Sequence, residues 1–431
     1  MNRRTVLKGA AVAGPAAFVG YGASEFVGSG PSTDRTLDWG DQAAPEPYSE
    51  FEVHHVDAEG GADHETIQDA VDVAEPRDLV LIEPGVYREE VTIGTDRLTI
   101  RGTDRDGVII DGEFGGRPCI TALADDVVVE NLTVRHGSYG VYWTGVEGYR
   151  ASHVVAYNNS APDINGYGIY AFNSRYGRFE YSYASGSDDA GIYIGESQPA
   201  DAVITDCIVE RNALGYSGTN AGGNFVIKDS LWQNNMAGIV PNTLDSQEGA
   251  PQGHIAGGVR IENNTVIGNN NLTAPAMPFS YPPHGIGIAI AGGTQNDVVG
   301  NEVHDQAKYG IAVTPIIDEN FYRPRGNAVE ANTVRNSGRV DLALLAPASN
   351  NAFADNDFSS SRPTLIEQRD GSFGDLWGLL TMLKDYGQTE LGSFPHGAVA
   401  DQPPPSSETL AELPEMDAPS TTPPASPIGG R

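Results

Sequence analysis

The stretch that decides the fold is residues 303–313, Val-His-Asp-Gln-Ala-Lys-Tyr-Gly-Ile-Ala-Val. An apolar segment is followed seven residues later by Gly, an aliphatic residue, any residue and a second aliphatic residue. Residues 184–194, Ala-Ser-Gly-Ser-Asp-Asp-Ala-Gly-Ile-Tyr-Ile, repeat the pattern. Recurrence at a fixed period is typical of a solenoid, whereas a sandwich or propeller would need longer strands and hairpin turns.

The repeat extends from Val134 to Phe358, with a mean spacing of about 28 residues between successive first strands. Short strands with alternate apolar residues predict a parallel β-helix, in which each coil pairs with the next at about 4.8 Å. Polar residues recur three positions before the coil Gly, where a corner is expected. This column predicts a stacked ladder of Asn165, Asp188, Asn212 and Asn235.

Two amphipathic segments flank the repeat. Ile67, Ala70, Val71 and Ala74 form one apolar face, which predicts a short helix that caps the open end of the first coil. Residues 376–386 carry Leu and Tyr at helical spacing, and we expect this second helix to pack back on the solenoid or cover its C-terminal edge.

The beginning of the repeat, Thr66-Ile-Gln followed by Ile82-Glu-Pro-Gly-Val-Tyr, resembles the entry of right-handed β-helix proteins of the pectin-lyase-like superfamily. The resemblance covers about residues 53–358. It implies an all-β fold: a single-stranded right-handed parallel β-helix with an N-terminal capping helix and a C-terminal helix. The superfamily holds lyases, hydrolases, esterases, epimerases and non-catalytic members, so the resemblance leaves the activity open.

The sequence predicts five segments. Residues 1–30, with Arg3-Arg4 before a mildly apolar core, resemble a twin-arginine export signal, which implies a secreted or cell-surface protein. Residues 31–49 read as a linker. The β-helix is assigned to 50–365 and a C-terminal helical segment to 366–396. Residues 397–431, rich in Pro, Ser, Thr and Glu, are expected to be disordered.

The charge is strongly acidic, with 58 Asp and Glu against 26 Lys and Arg and a net charge of -32. This balance argues against nucleic-acid binding, which requires cations against phosphates. So much negative charge is typical of a protein from a high-salt environment, where screening removes self-repulsion. The mature chain has no apolar run of the length of a membrane span. We expect a monomer.

An outward column of aromatic residues marks one candidate site. Tyr142, Tyr170 and Tyr193 each lie between the two aliphatic residues that follow a coil Gly. They could form a platform on which sugar rings stack, or an aromatic ladder that stabilises the sheet. Insertions at residues 241–258, 268–284 and 314–326 could wall a groove beside them, or be tolerated surface loops.

The densest polar cluster is Asp188-Asp189, with Glu196 on the following corner. We predict Asp189 and Glu196 as an acid and base for glycoside chemistry, with Asp188 beside them. The same carboxylates could instead bind Ca²⁺ or belong to a solvated acidic surface. The segment His284-Gly285 resembles one in polygalacturonases, whose paired Asp would be Asp188 and Asp189. Because about three coils separate them here, instead of neighbouring coils, that activity is not implied, and His284 is predicted as a substrate contact.

The sequence thus supports three hypotheses. The first is an exported protein that binds an extracellular polysaccharide in a lateral groove and, if it is an enzyme, acts as a lyase, hydrolase or epimerase. The second is a non-catalytic cell-surface binding or scaffold protein. The third is metal handling in the envelope, for which the scattered His and the two Cys residues predict no metal-ligand set.

Overall fold

A computed structural model describes residues 50–161, 164–242, 257–276, 284–317, 321–345, 350–369, 374–388, 402–416 and 420–424. The predicted signal at 1–30 and linker at 31–49 lie outside these residues. Most coils of the described chain contribute three strands separated by corners, and like strands of successive coils stack into three columns. Among the described residues, no helix has the length and apolarity to cross a membrane.

The first and second columns merge, because two long strands, Val127–Arg135 and Glu147–Tyr157, each run through both. The result is a 20-stranded sheet. Its other strands in the first column are Val53–Val56, Leu79–Ile82, Thr99–Gly102, Arg175–Glu180, Ala202–Thr205, Phe225–Lys228, Val259–Glu262, Asp297–Val299, Ala328–Glu330 and Ala352–Ala354. Those in the second column are Gly85–Tyr87, Val108–Asp111, Tyr183–Ser185, Ile208–Glu210, Leu231–Gln233, Thr265–Ile267, Glu302–His304 and Thr333–Arg335.

The third column is a separate 11-stranded sheet, called the third sheet below. Its strands are Val91–Ile93, Ile120–Ala122, Tyr139–Thr144, Tyr167–Phe172, Ala190–Gly195, Leu214–Thr219, Ala237–Asn242, Ile286–Ala291, Tyr309–Thr314, Val340–Leu344 and Ser361–Arg362. Every pairing between coils is parallel, and Val209, Trp232 and Val266 show the in-register stacking of like positions. The predicted all-β solenoid is therefore confirmed.

The interior of the coils is one continuous apolar core from Val56 to Ile366. It is filled mainly by Val, Ile and Leu, whose branched side chains suit the pleated inner face. Trp143, Tyr149 and Phe179 form an aromatic contact within it, with ring centroids 5.4–5.9 Å apart. In a continuous core of this kind each coil is stabilised by the coils on either side of it.

The corners are stabilised by ladders of side-chain amides. Between the second and third columns, Asn212 N donates to Asn235 Oδ1 at 3.0 Å, and Asn235 N donates to Asn269 Oδ1 at 3.1 Å. Asn165 and Asp188, which the sequence predicts in this ladder, are not part of it. The coil of Asp188 carries one additional residue, so that Ser187 takes the ladder position and donates its N–H to Asn212 Oδ1. Asp188 is consequently available for another role.

Both predicted helices are present. Helix α1, Ile67–Val73, caps the first coil, and its N-cap Thr66 accepts a hydrogen bond from Asp69 N. Helix α2, Leu376–Gln388, packs back on the solenoid through Leu379 and Met382, which contact the outer face of the third sheet. An antiparallel pair, Ile316–Ile317 with Phe321–Tyr322, lies within one of the insertions.

The C-terminal stretch differs from the expected disorder where the structure describes it. A short helix α3, Ser407–Leu410, places Leu410 and Leu413 against Val155, Tyr183 and neighbouring outward residues of the second column. Gln402 exchanges two backbone hydrogen bonds with the Asn158 side chain, at 2.7 and 3.0 Å. Composition alone predicts disorder, but two leucines that find an apolar surface are sufficient to hold a short segment in place.

Candidate functional site at the edge of the third sheet

The predicted Tyr column exists and lies on the outer face of the third sheet. Tyr142 pairs with Tyr170, and Tyr170 pairs with Tyr193, in exact strand register. The rings of Tyr142 and Tyr170 stack with centroids 4.5 Å apart, and the ring of Tyr193 meets Tyr170 edge to face at 5.1 Å. Three neighbouring coils therefore carry one aromatic cluster.

Two further tyrosines, Tyr139 and Tyr167, pack against this column at the edge where the strands begin. The Tyr167 ring lies 4.5 Å from that of Tyr170 and 4.7 Å from that of Tyr193. As a result Tyr170 and Tyr193 are only 8% and 4% exposed. The expected open platform of three tyrosines is therefore not what the structure shows: Tyr142 and Tyr139, both half-buried, are the rings that remain within reach of solvent.

Farther along the same face the outward residues are small. The corresponding positions are Ala289, Ala312 and Ala343, and these alanines form one apolar cluster with Leu379 and Met382 of α2. The small side chains leave the space that a helix needs to approach a sheet closely. The helix thus covers this part of the face.

Asp189 lies directly before the strand Ala190–Gly195, beside the Tyr cluster. Its Oδ2 accepts hydrogen bonds from Tyr167 Oη at 2.9 Å and from Asn165 Nδ2 at 2.7 Å. Burial raises the pKa of Tyr167 well above its usual value, and the nearby Asp189 raises it further. The phenol therefore stays protonated and orients the Asp189 carboxylate.

Asp188 differs from its neighbour in environment. Its Oδ1 accepts a hydrogen bond from Gly166 N at 2.6 Å. Burial raises the pKa of Asp188 to about 7, with the adjacent Asp189 adding to the rise and the Gly166 N–H opposing it. Asp188 is thus a carboxyl group that exchanges its proton near neutral pH, which is the property that a general acid requires. Tyr139, Asn165, Tyr167, Asp188 and Asp189 together are called the Asp–Tyr edge.

Glu196 does not join this group, although the sequence predicts it as the partner of Asp189. It lies on the corner after the strand Ala190–Gly195, with a positive φ of 50°, and accepts hydrogen bonds from Asn220 Nδ2. The intervening strand places the two residues about 23 Å apart, at 3.3 Å per residue. An acid and a base must flank one bond, so Asp189 and Glu196 are not a catalytic pair.

His284 is also separate from the carboxyl pair. It precedes Gly285, whose N–H donates to Met236 O, and Met236 is itself two coils beyond Asp189. Three coil spacings put His284 about 14 Å along the same edge. It lies on the correct side of the sheet to contact a long ligand, but too far away to exchange a proton with Asp189.

The Asp–Tyr edge does not fit the Ca²⁺ site that the sequence leaves open. Calcium takes about six to eight oxygen ligands, whereas Asp189 Oδ2 already faces two donors, Tyr167 Oη and Asn165 Nδ2. Within the residues that the structure describes, no group of three or more His, Cys, Asp or Glu could hold a metal ion.

The insertions are only partly described, since residues 243–256, 277–283 and 318–320 lie outside the described chain. The described beginning of one insertion lies beside the Asp–Tyr edge, where Ala274 and Ala276 pack on Ala213 and Met236. Ala213 and Met236 occupy the position of Asp189 in the next two coils along the edge. The edge therefore has a wall on one side.

Sequence reasoning missed Tyr139 and Tyr167 as members of the site. The available signal was their spacing, because each lies three residues before a tyrosine of the outward column. Each of these two tyrosines also directly precedes a coil Gly. The link of Asn165 to Asp189 had no such signal, since it depends on the additional residue in the coil of Asp188.

The chain is similar to several solved structures at low sequence identity. Among solved structures, the chain resembles the A-module of a mannuronan C-5 epimerase from Azotobacter vinelandii, with 18% identity, a TM-score of 0.47, and 68% of this chain and 90% of that one covered. An alginate lyase from a Paenibacillus species has 13% identity and a TM-score of 0.46, with 72% of this chain and 99% of that one covered. A pectin methylesterase from carrot has 15% identity and a TM-score of 0.39, with 61% of this chain and 84% of that one covered.

At such identities and TM-scores these likenesses carry no conclusion about the activity. None of the curated proteins compared with the chain matches it. The family model described as "Right handed beta helix region" matches residues 86–247 and 144–315, which together cover more than half of the 431 residues. With the parallel coils seen in the structure, this match shows that the chain belongs to the right-handed beta helix family.

Proposed function

We propose that the protein binds an extended polysaccharide along the Asp–Tyr edge and hydrolyses it, with Asp188 as the proton donor and Asp189 as the charged carboxylate. The observation that carries the proposal is the pair of adjacent carboxyl groups in different environments. Asp188 has a pKa of about 7 because it is buried, while Asp189 accepts hydrogen bonds from two side chains. Glycoside hydrolysis uses one protonated and one charged carboxyl group.

The aromatic side chains support a sugar as the ligand. The half-buried ring of Tyr139 lies close to the two carboxylates, and the half-buried ring of Tyr142 lies 5.1 Å from it. Both rings offer apolar faces with phenol hydroxyls at their rims. Burial raises the pKa of Tyr139 to about 12, so its hydroxyl remains a hydrogen-bond donor at neutral pH. Apolar ring faces combined with fixed donors are suited to a pyranose. Because coils repeat along the edge, an extended chain would pass His284 as well.

The test is incubation with neutral and uronate-containing polysaccharides at molar salt, followed by assays of reducing ends and of unsaturated products. We expect new reducing ends without unsaturation. Asp188→Asn and Asp189→Asn each lower the rate about 100-fold or more, the usual weight of general acid–base catalysis. The rate falls as the pH rises through about 7, because Asp188 then loses its proton. Asp305→Asn, a change at an exposed second-to-third-column corner, is the matched control.

A non-catalytic binding protein is the second candidate, and the burial of Tyr170 and Tyr193 favours it. In that case the aromatic cluster stabilises the sheet, and Tyr167 and Asn165 only supply the hydrogen bonds that a buried Asp189 needs. Retention of the polysaccharide without any product would support this candidate. Unsaturated products would show elimination in place of hydrolysis, and absence of both binding and products would refute the polysaccharide proposal.

We also propose that the protein is exported by the twin-arginine route. The support is the Arg3-Arg4 pair ahead of the Ala- and Gly-rich stretch. Replacement of both arginines by lysine keeps the charge but removes the pair. The doubly substituted protein is expected to accumulate inside the cell, whereas the unaltered protein appears outside; equal distribution of both would contradict this route.

A further inference from the structure

The sequence contains four sequons, which are tripeptides Asn-x-Ser or Asn-x-Thr whose asparagine side chain can be joined to a sugar. They begin at Asn131, Asn158, Asn263 and Asn271. The modification replaces a hydrogen of the side-chain Nδ2. It therefore needs an Nδ2 that the fold does not use and a tripeptide that an enzyme can reach. These two requirements separate the four sequons in the folded protein.

Two of the sequons are closed by their own hydrogen bonds. Asn131 is 5% exposed, and its Nδ2 donates to Gly102 O at 2.8 Å. Asn158 is 1% exposed, and its Nδ2 donates to Gln402 O at 2.7 Å. A sugar on either nitrogen would break a buried hydrogen bond and would have no room in a closely packed corner. These two asparagines can therefore accept a sugar only before the chain has folded.

The third sequon has an exposed asparagine, Asn263, but its other two residues belong to the solenoid. Asn264 is a ladder amide whose Nδ2 donates to Asn301 Oδ1 at 3.1 Å. Thr265 begins the strand Thr265–Ile267, which pairs with a strand on each side. A transferase has to bind the whole tripeptide, and here it would have to pull a paired strand out of the sheet. Exposure of the asparagine alone is therefore not sufficient.

The fourth sequon, Asn271-Leu272-Thr273, lies in the insertion at residues 268–284, outside the coil repeat. Asn271 Oδ1 accepts hydrogen bonds from Thr273 N at 2.9 Å and from Thr273 Oγ1 at 2.7 Å, and so forms a turn at the surface. Because these bonds hold the oxygen, Nδ2 is left over, and it donates no hydrogen bond among the described residues. Thr273 is exposed. This sequon meets both requirements.

We propose that Asn271 carries an N-linked glycan. A bond forms between Asn271 Nδ2 and the anomeric carbon of a sugar, and the bond between that carbon and the phosphate of a lipid-linked sugar donor breaks. The lipid phosphate leaves with the bonding electrons, and Nδ2 gives up one proton. The donor and the transferase belong to the membrane that the protein crosses. The proposal therefore rests on the export proposed above, but not on the proposed hydrolysis.

The test uses the full chain purified from the cells that naturally make it, with peptide mass spectrometry across all four sequons. We expect a glycan mass on the Asn271 peptide and none on the peptides of Asn131, Asn158 and Asn263. Asn271→Gln removes the added mass from the intact protein. Thr273→Ala also removes it, although the acceptor asparagine stays in place. Thr273→Ser keeps the hydroxyl that the sequon requires and therefore retains the glycan.

Asn263→Gln is the matched control, because Asn263 is also exposed and also begins a sequon. It should leave the added mass unchanged. An unmodified Asn271 in protein recovered outside the cell would overturn the proposal, and so would loss of the mass in Asn263→Gln. A glycan on Asn131 or Asn158 would show attachment before folding and overturn the selection by the folded surface.

The location of the protein separates this proposal from the proposed export. Unmodified protein found only inside the cell would overturn both, whereas unmodified protein outside the cell would overturn the glycan at Asn271 alone. Activity on polysaccharides enters neither readout, so failure of the proposed hydrolysis leaves the result unaffected.

Discussion

The two halves of the outer face of the third sheet occupy the same positions of the repeat but are filled in opposite ways. In the N-terminal half, Tyr142, Tyr170 and Tyr193 fill the face with their own rings. In the C-terminal half, alanines leave room for α2, which supplies Leu379 and Met382 instead. The comparison teaches that the solenoid fixes the position of an outward side chain. The size of that side chain decides whether the sheet face is buried by its own side chains or by a packed helix.

Replacement of Tyr170 by Ala tests the self-covered half and should have the largest effect. The Tyr170 ring contacts those of Tyr139, Tyr142, Tyr167 and Tyr193, so its removal leaves a cavity among them. We expect a loss of about 3 kcal/mol or more in the free energy of unfolding, measured by denaturant titration. Tyr142→Ala, at a half-buried ring, should cost clearly less. Equal losses would mean that the cluster is not packed as described.

Leu379→Ala tests the half that α2 covers. This side chain is 5% exposed on the alanine surface, and its truncation should cost about 2–4 kcal/mol. Leu380, the next residue of the helix, is 49% exposed, so Leu380→Ala serves as its control with an expected change within about 0.5 kcal/mol. Both are measured by thermal and denaturant unfolding. A similar small effect for both would show that the helix does not cover the face in solution.

Tyr167→Phe sharpens the comparison at the polar border of the Tyr half. The substitution keeps the ring but removes the hydroxyl that donates to Asp189 Oδ2. We expect a loss of about 1.5–3 kcal/mol in unfolding free energy, the usual contribution of a hydrogen bond to a charged group. Tyr142→Phe, whose hydroxyl has no hydrogen bond among those described, should be close to neutral. A neutral Tyr167→Phe would contradict a structural role for the contact.

Asp188→Asn provides the most specific effect, seen as a change in pH dependence. The pKa of Asp188 is raised from 3.8 to about 7 by burial, so between these values the folded state holds a proton that the unfolded state has lost. Stability of the unaltered protein therefore decreases as the pH rises from about 4 to about 7, by at most about 1.4 kcal/mol per pH unit. The Asn variant lacks this contribution.

The measurement is the difference in unfolding free energy between the two proteins across this pH range. It should grow in favour of Asp188→Asn as the pH rises, and level off above about 7. Asp305→Asn, at an exposed corner residue, should show no such gain. A difference that stays constant with pH would contradict both the raised pKa of Asp188 and its proposed role as a proton donor.

The corners show why part of the site could not be predicted from the sequence. Asn212 and Asn235 stand where the repeat predicts them, because the coil length between them is regular. In the preceding coil one additional residue moves Ser187 into the ladder. Asp188 then accepts a hydrogen bond from Gly166 N, and Asp189 accepts hydrogen bonds from Asn165 and Tyr167. A pattern that allows six or seven residues does not detect a one-residue shift in a corner. That shift nevertheless decides that Ser187 joins the ladder and that both carboxyl groups lie at the sheet edge.

By itself, the sequence determined the solenoid, its period, both flanking helices and the outward Tyr column, because these follow from local alternation of apolar and polar residues and from the fixed coil spacing. The tertiary structure alone decided which side chains meet. It separated Asp189 from Glu196 by the length of a strand, buried two of the three column tyrosines, and brought Leu410 and Leu413 back to the second column. Such contacts join residues far apart in the chain, and their geometry depends on side-chain volume and on the exact length of each corner, to which a periodic pattern is insensitive.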